Sequence, residues 1–209
     1  MENKTRKLRF SEAFLNVEYI ERADRYVINN RTIVVNLGEK GIIIEGKELF
    51  PYKSAIFYNI VLTKIENLLL ITLDLEMFSK ESFPFSNQLV DTWQHVYDIF
   101  PLPHLKDTKL WRSKKDKINN VELILWFAKA ETDCGIHNEH NFNEVHTQIF
   151  GLGRMQKFHE NDESTLYQEL YMSPGYTHDP FCDDEGRYPW HRYYSDTDCI
   201  WLVLEINEK

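Results

Sequence analysis

Six of the eight histidines in this 209-residue chain fall between positions 137 and 191. The first three punctuate the segment His137-Asn-Glu-His140-Asn-Phe-Asn-Glu144-Val-His146-Thr-Gln148-Ile-Phe-Gly151. Imidazole nitrogens joined by a carboxylate are the donors with which a protein holds a divalent transition ion, so the first chemistry to consider is that of a metal. From residue 143 onward the segment alternates polar and apolar positions as a strand does. Successive strand side chains point to opposite faces, so Glu144, His146 and Gln148 share one face while Val145, Thr147 and Ile149 share the other. A polar face turned into a barrel is costly unless its groups are paired or bind something. His146 and Gln148 are therefore candidates for proton transfer or for hydrogen bonds beside the ion.

Strands must position such a segment, and the second half of the chain reads as a run of them: 121–128, 145–150, 154–158, 165–172 and 200–206, separated by Gly, Pro, Asn and Asp turns. With no long helix between them, the spacing predicts an all-β sandwich or barrel in place of a βαβ sheet. The first half is also β-rich, with strands expected at 32–36, 42–46, 55–63 and 68–77, while residues 1–25 read as an opening helix or an extended arm. Residues 86–100 carry apolar side chains at helical spacing, with Ser86 as N-cap and Pro101 as terminator, which predicts a helix over about 86–99. The proline-bearing and then charged stretch 101–120 marks a boundary between an N-terminal region, 1–100, and a barrel, 101–209.

The formal charge of −9, with no basic run beyond Lys114-Lys115, lacks the electrostatic footprint of a nucleic-acid binder. The N-terminus has no apolar core of a signal peptide, and the longest apolar run, about 68–75, is broken by Thr72 and Asp74, far short of the ~20 residues of a membrane span. A cytoplasmic protein without a membrane or nucleic-acid partner is the expectation. Cys134, Cys182 and Cys199 form neither a C-x-x-C pair nor an even framework and read as free thiols. His159, followed by Glu-Asn-Asp-Glu, reads as a solvated turn.

The segment from His137 to Gly151 resembles the first signature of the cupin superfamily, H-x-H, three or four residues, E, six residues, G; acireductone dioxygenases and germins carry related segments. His140, Glu144 and Gly151 fit it, and the departure is the spacing His137-x-x-His140, with Asn138 where the first histidine should stand. The second signature, about P-x-G-x-x-H-x-x-x-N, has two registers here. One ends on His178 after Pro174-Gly175-Tyr176-Thr177; the other takes Pro174-Gly175 as an earlier turn and His191 as the ligand. His191 is favoured, because the sequence after it resembles the family's closing turn and strand. The resemblance covers about residues 119–209 and implies a cupin-type double-stranded β-helix, or jelly-roll barrel, with an N-terminal β-rich extension or a degenerate second cupin half. It implies one divalent ion, Fe(II) first with Mn, Ni or Zn as alternatives, held by His140, Glu144 and His191 and aided by His137 or His178. His146, Gln148 and Tyr176 are the catalytic candidates, with Arg154, Arg192 and Tyr188 orienting a small polar substrate. Iron-dependent oxygenation is the leading reaction, a metal-dependent isomerase, epimerase or lyase the alternative, and a non-catalytic small-molecule binder the reading of another class. A homodimer is the assembly the resemblance implies.

Overall fold

In the first half the glycines and asparagines punctuate strands, not helices, and β-branched residues fill the intervals. The structure, a computed structural model, describes residues 3–12, 14–74, 76, 93–183, 185 and 187–207. It divides into two units, Met1–Ser86 with Gly175–Thr177, and Asn87–Pro174 with His178–Lys209. The first unit contains β1 (Lys4–Lys7), β2 (Leu15–Ile28), β3 (Thr32–Asn36), β4 (Ile42–Ile44), β5 (Lys47–Leu49), β6 (Ser54–Phe57) and β7 (Ile60–Leu73). Its antiparallel sheet runs β1-β2-β7-β3-β6, beside the small β4-β5 ribbon. Of the two expectations for residues 1–25, the extended arm is what forms, since β2 buries Leu15, Val17 and Ile20 against β7. The strands expected at 55–63 and 68–77 are redivided: Asn59, at φ 51°, turns the chain after β6, and β7 then runs unbroken to Leu73. Residues 75 and 77 lie outside the described residues.

The second unit contains β8 (Gln94–His95), α1 (Val96–Ile99), β9 (Leu110–Arg112), β10 (Asp116–Ile118), β11 (Val121–Ala128), β12 (Thr132–Asp133), β13 (Asn143–Phe150), β14 (Gly153–Phe158), β15 (Leu166–Met172), β16 (Trp190–Ser195) and β17 (Cys199–Ile206). One antiparallel sheet is ordered β13-β17-β11-β9-β8, with β10 on β11, and the other β12-β16-β14-β15. Leu110, Ala128, Cys199, Trp201 and Val203 from the first sheet meet Met155, Met172 and Tyr193 from the second in one core. Two facing antiparallel sheets of this kind are the jelly-roll class of architecture. Strand β17 lies inside its sheet, and all eight of its residues are buried. Its alternate residues Cys199, Trp201 and Val203 face the core between the sheets, which is why an apolar run without polar alternation serves there. Among the described residues no helix is long and apolar enough to cross a membrane.

The helix expected over 86–99 shrinks. Residues 86–92 lie outside the described residues, Gln94 and His95 are extended, and only Val96–Ile99 is helical. Tertiary partners override the helical spacing: β8 pairs with β9, His95 Nε2 donates to the Thr108 carbonyl at 2.7 Å, and its ring meets Trp111 edge-on. That pairing also draws the stretch before residue 100 into the second unit, so the division falls at Ser86/Asn87, upstream of the expected 100/101. The hairpin after β13 needs glycine at 151. Its φ is +74°, and a Cβ would stand 2.0 Å from the Asp198 carbonyl oxygen.

Candidate metal centre

Both sheets of the second unit contribute to one cluster. His191 lies on β16, and the chain before β13 runs beside it, so that His137 and His191 exchange backbone hydrogen bonds of 3.0 and 2.9 Å. His140 follows from the loop that leads to Asn143 at the start of β13, and Glu144 lies on β13 itself. The extra residue in His137-x-x-His140 is thus absorbed in the loop: His137 belongs to the neighbour of β16, and His140 is free to come back over it. The rings of His137 and His191 lie 4.5 Å apart, and His140 stands 5.0 Å from each.

The donor atoms follow from what the other ring nitrogens do. His191 Nδ1 lies 2.9 Å from the Pro189 carbonyl and His137 Nδ1 lies 3.0 Å from that of Gly135. A carbonyl only accepts, so each Nδ1 carries the proton and each Nε2 is left with its lone pair. His140 Nε2 stands 3.2 Å from His191 Nε2, and one ligand atom from each of the three residues falls within 4.8 Å of the others. Two nitrogens bound about 2.1 Å from one ion at angles of roughly 90–110° stand about 3.0–3.4 Å apart, so the facing pair has the spacing of shared ligands. Three neutral imidazoles and a nearby carboxylate suit Fe(II), Mn(II), Ni(II) or Zn(II). His137, His140 and His191 could hold a metal ion.

Glu144 faces two of these imidazoles, with Oε2 3.6 Å from His140 Nε2 and 3.8 Å from His191 Nε2, while Oε1 is 3.3 Å from His146 Nε2. Burial pushes its carboxyl up, but the adjoining His146, His191 and His140 outweigh that and hold it well below the ordinary carboxylate range. Burial lowers His140 to about 4 against the pull of Glu144, which keeps this imidazole neutral and able to donate to an ion. Tyr188 fixes the carboxylate's backbone: its hydroxyl accepts the Glu144 N–H, and its ring stands 4.8 Å from His140. Burial raises the Tyr188 hydroxyl above the usual phenol range, so it stays protonated.

His178, the other candidate for the third ligand, is not in this cluster. Its Nε2 accepts the backbone N–H of His146 at 2.9 Å, and its Nδ1 donates to the Asp179 carbonyl at 2.6 Å. Both ring nitrogens are committed, and the ring stacks on Phe181, centroids 4.2 Å apart, which in turn meets His191 edge-on. His178 anchors β13; the arrangement leaves it no lone pair for an ion. His146 is 6% exposed and lies beside Glu144, and neither of its ring nitrogens makes a hydrogen bond among the described residues. The 3.3 Å approach of its Nε2 to Glu144 lacks hydrogen-bond alignment.

The remaining candidates are engaged elsewhere. Gln148 is fully buried, donating to the Phe150 and Gly151 carbonyls and accepting from the Tyr193 hydroxyl, which ties down the hairpin. Tyr176 belongs to the first unit and is 40% exposed. Arg154 pairs with Asp196 and Glu169, and Arg192 with Asp133, Glu163 and Gln156. Apolar residues wall a cavity beside the site. A cavity of about 90 Å³ is walled by Leu105, Leu110, Trp126, Met155, Trp201 and Val203, with His146, Glu144 and His191 along its polar side. Trp201 is among the aromatics that the sequence marks as able to line a pocket, and the period-two pattern of β17, which turns Val203 the same way, is the signal for the second.

No family model matches the sequence, and no curated protein matches it. Solved structures that resemble it include an RmlC-like cupin protein from Desulfovibrio desulfuricans, 14% identical, covering 61% of this chain and 91% of that one at a TM-score of 0.37. A cupin superfamily protein from Desulfitobacterium hafniense is 11% identical over 52% of this chain and 90% of its own, at 0.37. A cupin 2 conserved barrel domain protein from Leptotrichia buccalis is 9% identical over 99% and 89%, at 0.39. At these TM-scores the likeness adds no weight of its own. Strand order and side-chain geometry define the class: an all-β chain whose second unit is a two-sheet jelly roll, the architecture that includes cupins, with a three-histidine group able to hold an ion between its sheets.

Proposed function

We propose that this chain is a metal-dependent enzyme of cupin type, in which His137, His140 and His191 hold one Fe(II) with Glu144 beside it, and that it oxygenates a small-molecule substrate. The observation that carries the reading is the convergence of three imidazoles, two of them oriented by backbone carbonyls so that Nε2 is the free donor. Bound iron would supply the Lewis acidity and redox chemistry of an oxygenase. The chain's own residues prepare the site for it. Pro189 and Gly135 fix the tautomers of His191 and His137, Tyr188 and His178 hold β13 in place, and Glu144 stays ionised against the imidazoles. The wall beside the histidines is largely apolar, which suits an apolar part of a substrate.

One observation favours a second reading, a metal-dependent isomerase or lyase: His146 lines the same space with ring nitrogens that make no hydrogen bond among the described residues, beside the Glu144 carboxylate, as a general base would. Metal analysis of protein purified without chelator, followed by an oxygen electrode during addition of metabolite pools, separates the two. Iron with oxygen uptake is the expected result. Zinc or manganese without uptake favours the isomerase or lyase, and metabolite binding that survives metal removal favours a non-catalytic binder. Absence of metal, unchanged by His191→Ala, overturns the proposal.

A further inference from the structure

The cavity beside the histidines has a composition that the centre alone does not explain. Its walls are aliphatic and aromatic, and among the described residues none that line it is Lys or Arg. The arginines nearest in sequence, Arg154 and Arg192, are committed to carboxylates elsewhere. Yet two polar groups on its lining residues are buried and make no hydrogen bond among the described residues: the ring of His146, itself 6% exposed, whose Nε2 has only the poorly aligned Glu144 carboxylate 3.3 Å away, and the indole Nε1 of Trp126. Buried polar atoms are ordinarily paired, so unpaired ones in a preformed cavity mark where a ligand completes the bonding.

We infer that this cavity is the specificity pocket of the centre, shaped for the uncharged, apolar end of a short-chain substrate whose oxygen-bearing head lies at the histidines, with the Trp126 indole and His146 bonding its neutral polar atoms. The inference rests on the metal-centre reading above. Size sets the chain length. An apolar cavity of about 150 Å³ holds a six-carbon ring, so about 90 Å³ corresponds to roughly three to four heavy atoms. Charge sets the chemistry: among the described residues no lysine or arginine lines the cavity while Glu144 does, so a carboxylate at the buried end would meet no cation and its desolvation would exceed what contact returns. The small substrate is then polar at the ion and apolar beyond it.

The test uses straight-chain alkyl hydroxamates, from acetohydroxamate to octanohydroxamate, titrated by calorimetry into the full chain loaded with Zn(II). The bidentate head binds the ion throughout the series, so only the tail varies. Affinity is expected to rise roughly fourfold per added methylene until the cavity is filled and then to stop rising or fall. A tail ending in a carboxylate is expected to bind at least about tenfold more weakly than its uncharged isostere. Val203→Phe, which occupies the cavity, is expected to abolish the chain-length gain while leaving metal stoichiometry and acetohydroxamate binding intact; if that variant does not fold, the wild-type series decides. A flat series, or equal binding of the carboxylate tail, with acetohydroxamate still bound overturns the pocket and leaves the centre standing. Loss of both metal and acetohydroxamate binding overturns the centre and the pocket together.

Discussion

Replacing His178 by phenylalanine separates a ligand from a buttress. The ring keeps its stacking partner Phe181, 4.2 Å away, and stays in a fully buried position. What disappears are two hydrogen bonds: the acceptor for the His146 backbone N–H, 2.9 Å away, and the donor to the Asp179 carbonyl. A buried N–H left without a partner costs about 1–3 kcal/mol, and the lost bond to the carbonyl about 1 kcal/mol more. The expected destabilisation is therefore about 2–4 kcal/mol, or a fall of roughly 5–15 °C in Tm for a chain of this length. Metal stoichiometry, measured by elemental analysis, should stay at the wild-type value, because neither nitrogen of His178 is available to an ion. His191→Ala, in contrast, should empty the site. If His178→Phe empties the site as completely as His191→Ala while Tm holds, His178 is a ligand and the assignment made from its hydrogen bonds is refuted.

Further outcomes follow from the same geometry. Saturating the chelator-treated protein with a divalent ion to about a hundredfold over its Kd should stabilise it by ~2.7 kcal/mol, a rise of roughly 5–10 °C in calorimetry; an unchanged Tm with every first-row ion would refute the donor set. Gly151→Ala should cost about 2–4 kcal/mol in denaturant unfolding, since φ +74° and the Asp198 carbonyl at 2.0 Å both oppose a Cβ; a loss under about 0.5 kcal/mol would show that the hairpin can relax. Lys115 bridges Glu122 and the buried Glu205, whose carboxyl is raised by burial and by Glu144 against the opposing pull of Lys115. Lys115→Met raises it further. A carboxyl whose folded pKa lies above its unfolded value leaves the native state holding the extra proton, so stability falls as pH rises from the unfolded pKa through the folded one. The variant should be weaker than wild type by about 1–2 kcal/mol at pH 7, Lys115 being partly exposed, and recover towards pH 4.5; equal loss at both pH values would show that the Lys115 stem, not its charge, matters.

Strand positions in the second half were legible because apolar runs bounded by turn residues sufficed: β11, β14 and β15 fall within a residue of where the pattern puts them. Strand β16 was not, since its sequence Trp-His-Arg-Tyr-Tyr-Ser mixes ligand, ion-pair and core positions and so hides the alternation. The helical spacing before Phe100 misled because it records which side chains are buried, while the pairing of His95 with Trp111 decides the backbone. At the site, residue types announced metal chemistry, but partners could not be read. His178 and His191 carry the same side chain after similar turns, and only the acceptor each nitrogen finds distinguishes an anchor from a donor. Arg154 and Arg192 were natural choices for an anionic substrate until their carboxylate partners were seen. The cavity wall is built from ordinary core residues on five separate elements and loops, and only the alternation along β17 gives a part of it away.

The reciprocal bridge between His137 and His191 makes the two halves of the centre mechanically unequal. Two donors are joined by a pair of backbone hydrogen bonds, whereas His140 lies on the loop between that bridge and β13. Ions of different radius would be accommodated by travel of that loop alone. Were an ion held there, His140 would be the donor able to leave first, and substitutions between His137 and Glu144 would then alter the rate of metal exchange more than its affinity.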